Sequence, residues 1–140
     1  MPRVIALGTE NDDIAWKLAD LLDVAGVEFV KTDNPGLLME ASDNAIIMDG
    51  VRGISRPSLL SISDLSNQPR ISVHDMDAGT TMRLLRKAGR LKRAKIIGIP
   101  LGANVDDVLD EVKMLLEECL KSGRTRTDSH EPDVKEVRGA

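Results

Sequence analysis

Hydrophobic positions in this chain follow two rhythms, short apolar runs and longer stretches with helical spacing. "RVIALG" (3–8) is a compact apolar run closed by glycine and predicts a buried strand. "NDDIAWKLADLLDVAG" (11–26) places Ile14, Leu18, Leu21, Leu22 and Ala25 on one helical face. Asn11 or Asp12 can cap that helix, and Gly26 stops it. "VEFVKTD" (27–33) alternates like a strand, and "NPG" then turns the chain into a short helix, "LLMEASD". "NAIIMDG" (44–50) predicts another buried strand, ending at Asp49-Gly50. The pattern weakens from Val51 to Gln68, where "SLLSISDL" (58–65) suggests an edge strand, and "RISV" (70–73) suggests one more. "AGTTMRLLRKAGRL" (78–91) is helical with Met82 and Leu85 inward, and "AKIIGIP" (94–100) is the last buried strand. In "NVDDVLDEVKMLLEECLKSG" (104–123), Val105, Val108, Leu109, Val112, Leu115, Leu116 and Cys119 form one apolar stripe.

Strands alternating with helices predict a three-layer α/β fold, with a mostly parallel, twisted sheet of about five strands sandwiched by helices. Residues 1–123 form that domain. Residues 124–140, "RTRTDSHEPDVKEVRGA", offer little to bury and balance their own charges, so they are expected to be a disordered tail. In such folds ligands sit beyond the carboxyl ends of the strands, near a switch in strand order. That rule selects four places: the loop after Gly8, Asp33, Asp49, and His74.

Composition narrows the function. The chain has 140 residues and a formal charge of −4, with one tryptophan, one phenylalanine and no tyrosine. An acidic chain almost without rings is a poor nucleic-acid binder, and the charge argues equally against an anionic membrane. A single cysteine, Cys119, rules out an intrachain disulfide and a cysteine-rich metal site, and its place on the helical stripe makes it a core thiol. No apolar stretch reaches membrane-spanning length, and no signal-peptide pattern precedes "RVIALG"; the expected location is cytoplasmic. "RLLRKAGRLKRAK" (83–95) holds seven basic residues, either a solvated helix face or a dock for an acidic partner.

Asp13, Asp49 and His74 carry the candidate chemistry. Two carboxylates and an imidazole suit a borderline divalent ion with open coordination positions, such as zinc or nickel. Without a metal the same groups can activate water and move protons. Each also has a plainer role: Asp12 and Asp13 as acids at a helix N-terminus, Asp33 and Asp49 as turn residues, His74 as a strand-end histidine bonded to backbone. The layout further overlaps that of phosphoacceptor receiver domains. Those want Ser or Thr after the fourth strand and Lys before Pro after the fifth, whereas here the strings are "SVHD" and Ile99-Pro100.

Taken in order, four stretches resemble the nickel–iron hydrogenase maturation endopeptidases. "VIALGTENDDIAWKLADLL" is similar to their first strand, loop and acidic helix start; "VEFVKTDNPG" to their second strand; "IIMDGVRG" to their third; and "ISVHDMDAGTTMRLL" to the stretch with their histidine ahead of a helix. "AKIIGIPLGANVDDVLDEVKMLLEEC" completes the likeness, which spans residues 3 to 121. It implies an enzyme that clips a C-terminal peptide from the hydrogenase large-subunit precursor after nickel insertion. Nickel would be contacted through the substrate rather than held as a permanent cofactor, with zinc or cadmium able to substitute. The precursor would be the partner, and the resemblance assigns Asp13, Asp49 and His74 as catalytic and metal-contacting residues, with Asp33 a further acidic position. The chain departs from the family in a shortened loop, in Glu10 at a loop glycine, and in Trp16 at a helix glycine. The departures leave room for a non-catalytic nickel-centre or partner-binding module on the same fold.

Overall fold

The computed structural model describes residues 2–67, 72–73 and 76–129. Strands β1 (Arg3–Leu7), β2 (Glu28–Thr32), β3 (Ile46–Arg52), β4 (Ser58–Ser61), β5 (Ser72–Val73) and β6 (Lys95–Pro100) form one sheet. Its order is β2-β1-β3-β6-β4, with β5 paired to β3 beside that path. The four strands β2, β1, β3 and β6 run parallel, while β4 and β5 are antiparallel to their neighbours. The expected mostly parallel α/β sheet is therefore what the chain forms.

Alternation along the strands sorts the core into two halves, because successive side chains leave a strand on opposite faces. Val4, Ala6, Ile46, Met48, Ile97 and Ile99 point to one face, where helices α1 (Ile14–Leu21) and α4 (Val105–Ser129) cover them. Ile5, Leu7, Ile47, Val51 and Ile96 point to the other. There they meet a 3-10 helix (Pro35–Glu40), α2 (Ile62–Asn67) and α3 (Met76–Lys87) through Leu38, Ile62, Leu65 and Met82. Runs such as "VIAL" and "IIM" are apolar on consecutive positions for this reason: both faces of the sheet are roofed. Each fully buried side chain of this set, such as Ile97 or Leu18, contributes about 1.5–3 kcal/mol of hydrophobic stabilisation.

Several element boundaries differ from expectation; helix α3, for one, spans Met76–Lys87 rather than 78–91. The first helix ends at Leu21 rather than Gly26: Leu22 turns to extended backbone and is buried, and Val24 and Val27 pack on the same core. A continued helix would have carried those side chains away from the sheet, and Leu21, expected inward, is exposed. The third strand runs past Gly50 to Arg52, because Gly50 and Val51 pair with Ile99 and Pro100, and Val51 and Arg52 with Val73 and Ser72. The stretch 58–65 divides, its first half forming β4 at the sheet edge and the rest entering α2. Helix α4 continues through Ser129, into the segment expected to be disordered; residues 130–140, with His130, lie outside the described residues. Among the described residues no helix is long and apolar enough to cross a membrane.

Candidate functional site

The strand order reverses direction at β1, since β2 lies on one side of it and β3 on the other. The crevice rule therefore points to the carboxyl ends of β1 and β3. Strand β1 pairs with β3 only from Val4↔Ile46 to Ala6↔Met48. Strand β5 takes up the same edge of β3 from Val51. Between them, Asp49 and Gly50 are paired on the β6 side, with Gly98 and Ile99, and have no ladder partner on the other among the described residues. The result is a notch in the sheet, with Asp49-Gly50 as its floor.

Asp49 is only 1% exposed, alone among the described residues as a buried charged side chain. Its Oδ1 accepts a hydrogen bond from the Gly50 backbone N–H at 2.8 Å. Alternation directs it to the face of Ile47 and Val51, and its β6 neighbour in register is Gly98, which has no side chain to crowd it. A carboxylate withdrawn this far from water is retained only with compensating donors or cations nearby.

Asp12 reaches the notch from the opposite face. The loop "GTEND" folds into a tight reversal in which Thr9 and Asp12 exchange backbone hydrogen bonds of 3.0 and 3.2 Å, and Thr9 Oγ1 accepts from the Asp12 N–H. That turn aims the Asp12 carboxylate over β3. A methyl group added to Gly50 would lie 2.7 Å from Asp12 Oδ2 and 2.8 Å from Leu101 Cδ2. The short, β-carbon-free strand position is thus what lets a carboxylate rest on the backbone next to Asp49.

Asp13 behaves differently. It is the N-cap residue of α1, yet its side chain makes no capping hydrogen bond. It is half exposed and forms an (i, i+4) ion pair with Lys17 at 3.5 Å. At the other flank, Trp16 fills the space above Gly8: its indole N–H donates to the carbonyls of Ala6 at 3.2 Å and Thr32 at 3.3 Å. A methyl group on Gly8 would meet the indole at 2.9 Å and the Asp12 carbonyl at 3.0 Å. Trp16 therefore seals the carboxyl ends of β1 and β2, and Asp33, just beyond, is an exposed surface residue.

Of the acids selected from sequence, then, the structure brings Asp49 to the notch, leaves Asp33 and Asp13 at the surface, and adds Asp12. Helical spacing cannot separate Asp12 from Asp13; the Thr9–Asp12 turn does. His74 lies outside the described residues. Among the described residues no three His, Cys, Asp or Glu side chains group as metal ligands. Cys119 is buried on α4, and burial pushes its thiol above the usual range, as expected of an inert core cysteine.

A receiver domain does not fit this frame. Its doubly wound sheet has the order 2-1-3-4-5, whereas here an antiparallel β4 closes the edge beyond β6 and the candidate acceptor is buried within a strand. In comparisons with known proteins the chain matches no family model, no curated protein and no solved structure. The resemblance to hydrogenase maturation endopeptidases accordingly stands on the ordered motifs alone.

Proposed function

We propose that this protein is an endopeptidase of the hydrogenase maturation type, cytoplasmic, which removes a C-terminal peptide from a nickel-loaded large-subunit precursor. The observation that carries the reading is the buried Asp49 at the switch-point notch, with the Asp12 carboxylate resting on the adjacent Gly50. In the proposal Asp49, Asp12 and His74 grip the nickel carried by the substrate, with Asp12 in the role that motif position gave to Asp13. Two carboxylates and one imidazole leave coordination positions open, so the substrate's ion can orient the scissile peptide and a water together. A carboxylate at the notch then takes the proton of that water.

The test is to incubate the full chain with nickel-loaded and nickel-free precursor and follow the large subunit by intact mass. Only the loaded precursor should lose its C-terminal peptide. Asp49→Asn and His74→Ala should slow cleavage by about 100-fold or more, the usual worth of a positioned acid–base group. Asp12→Asn should slow it far more than Asp13→Asn. Undiminished cleavage by a folded His74→Ala variant would remove the histidine from the site, and equal cleavage without nickel would remove the recognition role.

A second reading is supported by Trp16, whose indole closes the β1–β2 side of the crevice. In that case the protein is a non-catalytic module that holds a nickel centre or its carrier. Binding of loaded precursor without any mass loss would favour it.

A further inference from the structure

Far from the notch, at the amino ends of the parallel strands, lies a second concave surface. Lys95 opens β6 and pairs with Ile46 at the start of β3, whereas Asp49 pairs with Gly98 further along. A cleft of about 330 Å³ lies here, lined by Leu59 and Ser61 of β4, by Asp64, and by Lys92, Arg93 and Lys95. Asp64 is already engaged, accepting from the Ser61 N–H at 2.8 Å.

The cleft belongs to the most asymmetric charge pattern in the chain. Residues 83–95 hold seven Lys and Arg and no acid, although the whole chain carries 23 Asp and Glu against 19 Lys and Arg. The four ion pairs among the described residues involve Arg3, Lys17, Lys31 and Arg56, none of them from this run. Arg90 instead holds the segment in place: its guanidinium donates to the carbonyl of Met39 at 2.6 Å. Asp43 accepts from the Leu91 N–H through its side chain and from the Arg93 N–H through its carbonyl, each at 3.0 Å. The loop that presents Lys92 and Arg93 is thus fixed by its backbone while both cations remain exposed. A helix C-terminus favours cations, which accounts for Arg86 and Lys87 in the last turn of α3, but not for the three cations that line the cleft beyond it.

We propose that this cleft docks an extended acidic segment of a partner protein. Three features select that occupant. The cations complement carboxylates; the leucine wall accepts an apolar side chain; and β4 is an edge strand that pairs only with β6 among the described residues, so an extended chain can lie along it. A nucleic acid would bring dense negative charge to a net acidic protein and find no aromatic ring in the cleft to stack on.

Fluorescence anisotropy on the full chain tests this with a labelled peptide, Gly-Glu-Glu-Leu-Glu-Glu-Gly. Binding should saturate at one peptide per chain and weaken as salt is raised. Lys92→Glu combined with Arg93→Glu should weaken it by about tenfold or more, whereas Arg86→Glu combined with Lys87→Glu, outside the cleft, should change it by about twofold at most. Replacing the peptide's leucine by glycine should weaken it by about fivefold. Equal loss from the two charge reversals would reduce the surface to unspecific charge and overturn the proposal. So would indifference to the leucine, or equal or tighter binding of a 12-base-pair DNA duplex or of phosphatidylserine vesicles. Circular dichroism of both double variants, which replace only exposed side chains, checks that the fold is unchanged.

Discussion

The two ends of the sheet solve the problem of charge in opposite ways. At the carboxyl ends of β1 and β3, acids are drawn inward: Asp49 is buried and Asp12 lies on the backbone of Gly50. At the amino ends, Lys92 and Arg93 stay in water while their backbone is held by Asp43. A buried charge is tied to the packing around it, so substitutions there disturb structure and chemistry together. A solvated charge is nearly independent of the fold, so substitutions there should change recognition alone.

The sharpest break should come from Gly8→Ala. The added methyl meets a hydrogen-bonded indole and a backbone carbonyl, neither of which can swing away. A loss of about 2–3 kcal/mol is expected by urea denaturation, in the range for overpacking a tight site. Trp16→Phe comes next, because it keeps a ring but loses the N–H shared by the Ala6 and Thr32 carbonyls; about 1–2 kcal/mol should be lost. Gly50→Ala should disturb structure and chemistry at once: its methyl meets Asp12 Oδ2 at 2.7 Å and Leu101 Cδ2 at 2.8 Å, so about 1 kcal/mol of stability should be lost while precursor cleavage falls as Asp12 is displaced. At the basic end, Lys92→Gln with Arg93→Gln should shift stability by no more than about 0.5 kcal/mol, since both side chains are exposed. A larger fall there would erase the contrast between the ends.

Much of this contrast was legible in the sequence, for physical reasons that differ by element. "VIAL", "IIM" and "IIGI" declare strands buried on both faces, and the α4 stripe at Val108, Val112, Leu116 and Cys119 lies inward as its period requires. The strand-end rule found Asp49. It also marked the loop after Gly8, but could not tell Asp12 from Asp13 there, because the choice follows from a two-residue reversal between Thr9 and Asp12 that leaves no periodic trace. Nor could it foresee that β3 would continue beyond Gly50, because that extension depends on pairing with Pro100 at the end of β6 and with β5, a strand of two residues supplied from about twenty positions away. Leu21 misled for a related reason: helical spacing assigns a face, but only the sheet decides where the helix stops.

Trp16 has one further use. It is the only tryptophan in a chain without tyrosine, and it stands against Gly8 and the Asp12 carbonyl. Ultraviolet emission from this protein therefore originates almost wholly from one spot at the lip of the notch. A cation or peptide that settles there should alter the colour or intensity of that light with no label attached, and one that settles at the distant basic end should leave it unchanged.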